Sequence, residues 1–241
     1  MKKIIQAFLL AISILLFTKC KNSSPAQAFY LDGDFIGVRQ AKTVKFYGTR
    51  DQKNWVYGQN KDFVSPTDLN DVIYFGGSFI GVRLDKTVKF YRTNKQGVWD
   101  YVTGKDLEIP DDADGIFFFN RNSVGAWKGT SIKFYQTSKQ GTWTYLPTED
   151  FTSPYHIDGA FFMSTGFIGV RNGRTVKFYT SNAQGAWTYQ DGIDFTSPGD
   201  VDQMFYLNTG SIGVLKDHSI KFYIINEKRA WAYRAGSDFT F

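Results

Sequence analysis

The sequence predicts an all-β chain folded as a five-bladed β-propeller, built from five 44-residue four-stranded repeats. Three observations carry that prediction. Gly37, Gly81, Gly125, Gly169 and Gly213 are each 44 residues apart. Trp55, Trp99, Trp143, Trp187 and Trp231 keep the same interval, so no insertion or deletion breaks the register. Between these markers lie short aromatic or β-branched runs bounded by Gly, Asn, Ser or Pro, and none shows the i, i+3, i+4, i+7 spacing of a helix. A fixed period of this length marks a supersecondary unit that cannot bury its apolar faces alone and must stack on copies of itself.

The fourth repeat shows the elements in order. Phe161-Phe162-Met163 is apolar on both faces, as suits a strand sandwiched between neighbours. Ser164-Thr165-Gly166 turns the chain into a second strand, Phe167 to Arg171. Gly169 in that strand has a packing reason: without a side chain, neighbouring backbone can approach near a crowded axis. Asn172-Gly173-Arg174 is the next turn. Thr175 to Tyr179 then alternates, with Val176 and Phe178 on one face and Thr175, Lys177 and Tyr179 on the other. A polar turn, Ser181 to Gly185, leads to the fourth strand, in which Trp187 and Tyr189 share a face. Asp194-Phe195-Thr196-Ser197-Pro198 reads as a polar return to the next repeat. Four antiparallel strands per period make one blade, and five blades lie within the known range. The repeats run at about 29–72, 73–116, 117–160, 161–204 and 205–241. A closed ring also removes the exposed edge of an open array. An open β-solenoid is the alternative, but it would show atypical capping repeats, and neither end looks atypical.

The first residues read differently. Lys2 and Lys3 precede an apolar run from Ile4 to Phe17, too short for a bilayer span of about 20 residues. The pattern is a secretory signal peptide over 1–19. It ends at Cys20, the only cysteine. Leu16-Phe17-Thr18-Lys19-Cys20 resembles a bacterial lipoprotein signal, in which the cysteine is lipidated and becomes the N-terminus; Lys19 departs from the usual small residue there. Residues 20–28 then form a lipid-attached polar tether. The implied product is an exported, membrane-anchored protein, periplasmic or at the cell surface. With no further cysteine, its 222 residues must be held by their own core, and a chain of that length buries about 70% or more of its unfolded surface. The formal charge of +5 falls when Lys2, Lys3 and Lys19 leave, to 25 basic against 23 acidic side chains. That balance gives no electrostatic case for nucleic acid.

Each repeat is entered through a linker such as Ser153-Pro154-Tyr155-His156-Ile157-Asp158-Gly159-Ala160. This layout, followed by an aromatic strand and a Phe/Tyr-rich hairpin, resembles the hemopexin-like repeat. It differs from that family in having five repeats, no cysteine pair to close the ring, and Asp71, Gly115, Gly159 and Gln203 where Ala is usual. The blade number, the Phe-rich first strand and the Trp near the repeat's end resemble the five-bladed tachylectin-2-type lectin propellers. Either resemblance implies a non-enzymatic binding propeller. The first implies protein, ion or haem partners, the second sugars.

The candidate ligand-binding residues are the fivefold aromatics. Trp55, Trp99, Trp143, Trp187 and Trp231, with Tyr57, Tyr101, Tyr145, Tyr189 and Tyr233, could stack on sugar rings, one site per blade. The competing reading has the indoles filling the gaps between blades. Lys45, Lys89, Lys133, Lys177 and Lys221 recur with Asp62, Asp106, Asp150, Asp194 and Asp238 and read as a structural ion pair in each blade, the Lys stem lying on aromatics. Arg39, Arg83 and Arg171 end the second strand in three repeats, where Trp127 and Leu215 stand in the others. Asn70, Asp114, Asp158 and Asp202 precede first strands and read as turn caps. His156 and His218 lie at unrelated repeat positions and make no zinc or haem ligand set. No nucleophile elbow, metal-binding His pair or phosphate-binding glycine loop appears. The expectation is a monomeric, non-catalytic propeller without cofactor or metal, binding carbohydrate in lectin-like fashion. The alternative is a protein-interaction or structural propeller in an envelope assembly.

Overall fold

A computed structural model describes residues 25–31, 35–110, 112–120, 122–207 and 210–241. The signal segment, Cys20 and most of the tether lie outside the described residues. The fold is a five-bladed β-propeller with one short 3-10 turn, Pro147–Glu149. Among the described residues no helix is long and apolar enough to cross a membrane. The inner strands are Gln27–Leu31, Asp71–Gly76, Gly115–Asn120, Gly159–Ser164 and Gln203–Leu207, and each touches the next around a central tunnel. Each blade therefore starts two residues earlier than the repeat frame read from the sequence.

Within a blade the strands pair antiparallel in chain order, so each sheet is one contiguous piece of chain. In the fourth blade Gly159–Ser164 pairs with Phe167–Asn172, which pairs with Thr175–Ser181. The outer edge is split. Trp187–Tyr189 pairs with one end of Thr175–Ser181, and Phe195–Thr196 pairs with the other. The segment expected to be a polar return is thus the second half of the fourth strand. Its apolar residue explains why: Phe63, Leu107, Phe151, Phe195 and Phe239 are buried, and the residue after each, Val64, Glu108, Thr152, Thr196 and Thr240, is exposed.

The second-strand glycines make room for a ring, not for backbone. Phe29, Phe117, Phe161 and Phe205 pair in register with Gly37, Gly125, Gly169 and Gly213. Each phenyl ring lies flat over its glycine, and a Cβ there would fall inside the ring's van der Waals surface. The second blade has Ile73 opposite Gly81, with a looser approach of 3.0 Å.

A blade has no core of its own. Five apolar clusters sit between blades, each drawing on two of them. Phe134 and Phe151 of the third blade, for example, share a cluster with Ile168 and Tyr179 of the fourth. The Trp series forms the outer part of every joint. Trp99, Trp143, Trp187, Trp231 and Trp55 stack on Phe46, Phe90, Phe134, Phe178 and Phe222 of the preceding blade, with interplanar angles of 16–21°. Four of the indole N–H groups donate to a backbone carbonyl of that blade, at Lys61, Lys105, Glu149 and Ile193. Trp55 Nε1 has no partner among the described residues.

The joint between the fifth and first blades closes the ring without exchanging a strand. It is held by Trp55 on Phe222, by Gln203 Oε1 accepting from Ala28 N–H at 2.7 Å, and by Arg234 Nη1 donating to Gln52 Oε1 at 2.5 Å.

Candidate functional site

The tyrosines that travel with the tryptophans are on the surface. Tyr57, Tyr101, Tyr145, Tyr189 and Tyr233 are 38–48% exposed. They alternate with the tryptophans' neighbours along the fourth strand and so stand farther out on the same face. Each phenol donates to the carboxylate five residues on: Tyr57 to Asp62 at 2.8 Å, Tyr101 to Asp106 at 2.7 Å, Tyr189 to Asp194 at 2.8 Å, and likewise Tyr145 to Asp150 and Tyr233 to Asp238. The Lys of the third strand lies over the tyrosine ring, at 4.8–5.8 Å from its centroid in the first four blades. The ion pair between the third-strand Lys and the recurring Asp, expected in every blade, is present among the described residues only for Lys177–Asp194, at 3.6 Å. The phenol is the better partner for the carboxylate because it is fixed on the same split outer strand, whereas a lysine head must be ordered to pair.

The cluster in each of the first four blades therefore presents an exposed ring, an ammonium and a carboxylate within a few ångströms, and the fifth presents the ring and the carboxylate. Tyr145 and Tyr189 are pushed up to about 12, first by their hydrogen bonds to Asp150 and Asp194. Tyr57, Tyr101 and Tyr233 move the same way for the same reason. A phenol that holds its proton more tightly in the folded chain than its ordinary value of 10.0 stabilises the fold below that pH. That contribution is lost as pH climbs from 10 towards 12. Ultraviolet titration is expected to show a late-titrating group of tyrosines whose ionisation coincides with loss of stability. In a protein with Asp150 and Asp194 changed to Asn, Tyr145 and Tyr189 should titrate earlier.

The fourth blade adds one ring. Tyr155, 48% exposed, comes from the linker, and its ring centroid lies 5.4 Å from Lys177 Nζ. With Thr175, Lys177 and Tyr179 it lines a groove of about 190 Å³. The corresponding positions in the sequence are Thr67, Asp111 and Gly199, so this addition is not fivefold.

At the linker end of the tunnel the arginines are buried. Arg39 is 3% and Arg83 8% exposed. Arg83 Nε donates to Asp71 Oδ2 at 2.6 Å and its Nη1 to Ala113 O at 2.8 Å. Arg39 gives Nη1 to Leu69 O at 2.7 Å and Nη2 to Pro25 O at 2.6 Å. The carboxamide and carboxylates before the inner strands serve the hairpin turns, as read from the sequence. Asn70, Asp114, Asp158 and Asp202 accept from the N–H of Asp85, Gly129, Gly173 and Asp217 at 2.6–2.8 Å. His156 lies 3.3 Å from Asp158, and His218 packs near Phe241, so the two share no site. Among the described residues no group of three or more His, Cys, Asp or Glu is placed to hold a metal.

The structure thus puts the tryptophans in the joints, with one face against a phenyl ring, and leaves the tyrosines to solvent. Sequence reasoning missed the Tyr–Asp bonds, although the fixed Tyr-to-Asp spacing of five was visible. It also missed Tyr155, whose neighbour Lys177 comes from another strand.

The chain matches no protein-family model and no curated protein sequence. Among solved structures it is similar to a functionally unknown protein from Desulfotomaculum acetoxidans, with a TM-score of 0.52 and 13% identity over 91% of this chain and 70% of that one. Kluyvelomyces marxianus Hsv2 gives 0.47 and 12% over 90% of this chain and 99% of its own. The periplasmic gluconolactonase PpgL of Pseudomonas aeruginosa gives 0.47 and 12% over 84% and 67%. At these identities the likeness is one of fold alone.

Proposed function

We propose that the protein is a non-catalytic binding propeller, exported and displayed at the cell envelope through a lipid on Cys20. Its rim binds carbohydrate, with one weak site per blade. The observation that carries this reading is the exposed tyrosine bonded to an aspartate in all five blades, with a lysine over its ring in the first four. A pyranose offers polarised C–H groups to an aromatic face and hydroxyls to flanking charged groups. The tyrosine ring supplies the first contact and the Lys and Asp supply the second. An isolated shallow site of this kind binds in the millimolar range, and five on one rigid ring raise the avidity for a glycan surface by about 10²–10⁴.

A glycan array probed with the folded protein tests this. Binding to a defined sugar class is expected. Changing Tyr101, Tyr145 and Tyr189 together to Leu should cut the array signal by at least about tenfold while the chain stays folded. A folded protein that binds no glycan would sink the reading. The protein-interaction alternative would then lead, with the one-off Tyr155 groove of the fourth blade as its first place to look.

A further inference from the structure

The rim clusters are not equivalent, and three departures coincide in the fourth blade. The first is an extra ring. Tyr155 stands where the other linkers have Thr67, Asp111 and Gly199. The second is the place of the lysine. Lys177 Nζ lies 4.8 Å from the Tyr189 ring centroid, against 5.8, 5.5 and 5.6 Å for Lys45, Lys89 and Lys133 over their tyrosines. The third is the ion pair with Asp194 at 3.6 Å, which among the described residues no other third-strand lysine makes with the recurring aspartate.

The first departure accounts for the other two. The Tyr155 ring is a second aromatic wall for the Lys177 ammonium, 5.4 Å from its centroid, and leaves the side chain fewer rotamers. A long side chain that is loose must be ordered when a ligand arrives, and that ordering weakens binding. In the fourth blade two rings and a carboxylate hold the lysine before any ligand is present. Tyr155 is itself fixed through its backbone. Ser153 N–H donates to Thr130 O at 2.8 Å and Ile157 N–H to Gly129 O at 2.7 Å, so the linker is pinned to the third blade on both sides of the ring. Tyr155 N–H donates to Ser153 Oγ at 3.1 Å, and Asn172 Nδ2 donates to His156 O at 2.9 Å. Ile157 is fully buried.

An exposed tyrosine on a fixed base offers a large contact area with only two side-chain torsions to order. The groove beside it has an apolar part, the buried Val170 and Tyr179, and a polar part, Asn172, Thr175 and Lys177. Its volume of about 190 Å³ is below the 300–1,000 Å³ of sites that enclose drug-sized ligands, and suits one sugar ring rather than an oligosaccharide. The aromatic face matches the C–H groups of a pyranose, and the amide, hydroxyl and ammonium match its hydroxyls.

We propose that the Tyr155 groove is the dominant sugar site, taking one pyranose against the Tyr155 ring with its hydroxyls on Lys177, Asn172 and Thr175. The remaining blades add weaker contacts. The inference rests on the carbohydrate reading of the rim and replaces five equal sites by one strong site and four weak ones.

Single substitutions in the full chain, read on one glycan array, test this. Tyr155→Leu is expected to cut the signal at least about tenfold, because the strong site goes with its platform. Tyr155→Phe keeps the ring and should stay within about twofold of wild type. Tyr101→Leu and Tyr145→Leu, each removing one weak site of several, should also stay within about twofold. Melting temperatures confirm that each variant is folded. If Tyr155→Leu fails that check, Lys177→Gln against Lys89→Gln decides, with a loss of at least about fivefold expected only for the first. Equal losses for folded Tyr155→Leu and Tyr101→Leu would overturn the proposal and leave the rim reading in place. So would a Tyr155→Phe protein that loses as much as Tyr155→Leu. A folded wild type that binds no glycan overturns both readings together.

Discussion

A Gly125→Ala protein is expected to lose about 2–3 kcal/mol of stability, the cost of forcing one methyl group into a packed core. The new Cβ would lie within the Phe117 ring, which is 5% exposed and hemmed in by Phe119, Phe134 and Trp127. The ring cannot swing away without displacing one of them. For a chain of this length the melting temperature should fall by roughly 5–10 °C. Two comparisons separate the collision from a general effect of glycine replacement. Gly81→Ala should cost less, because Ile73 approaches at 3.0 Å where the other blades have a ring face. Gly199→Ala, with nothing within 4 Å, should be close to neutral. Adding Phe117→Leu to Gly125→Ala should recover part of the loss, since the two residues meet directly and their effects cannot add. Equal losses at Gly125 and Gly199 would mean that the ring does not lie where we describe it.

Trp187→Ala is expected to cost about 3–4 kcal/mol, as for other large aromatics truncated in a core. The indole stacks on Phe134 at 5.7 Å, meets Phe151 edge-on at 5.6 Å, and donates to Glu149 O at 2.9 Å. All three partners belong to the preceding blade, so the change opens a joint. Replacement by Phe divides the loss into its parts. Trp187→Phe keeps an aromatic face but leaves the Glu149 carbonyl without its donor, and should cost about 1 kcal/mol more than Trp55→Phe. Trp55 stacks in the same way but has no acceptor for its N–H among the described residues. Chemical denaturation of the two Phe variants side by side measures that difference, and equal losses would remove the hydrogen bond from the account of the joint.

The period of 44 was enough to read the ring and its blade number, because a repeat without insertions leaves few ways to stack. The inner three strands were legible for the same reason that they are stable: their alternation matches their burial. The second half of each outer strand was not legible. A lone Phe such as Phe195, among Asp, Thr, Ser and Pro, looks like a turn until the edge of the third strand is there to receive it. The role of the strand-two glycine was half legible. Its recurrence signalled a close approach, but the partner sits eight residues earlier on a strand whose register the sequence does not print. Opposite charges suggested Lys–Asp pairs, and the structure gives the carboxylate first to a phenol on the same split outer strand, with a lysine in ion-pair reach only at Lys177–Asp194 among the described residues. At the tunnel, Gln27 and Val72 meet because two blades meet. No local pattern contains both.

The seam between the fifth and first blades is, in the language of association, an intramolecular complex. Its two faces are the same kind of surface as the faces of the other joints, yet no peptide linker spans it and no strand crosses it. The other four joints act as its tether and set the effective concentration at which the halves meet. A chain shortened by one blade would keep both faces and lose the geometry that brings them together. It would then satisfy them with a second molecule, face to complementary face. Contacts of that kind close into a larger ring when the rotation permits and otherwise extend as a filament. Closure of the ring within one molecule is therefore a property of blade number, not of any residue on the outer surface.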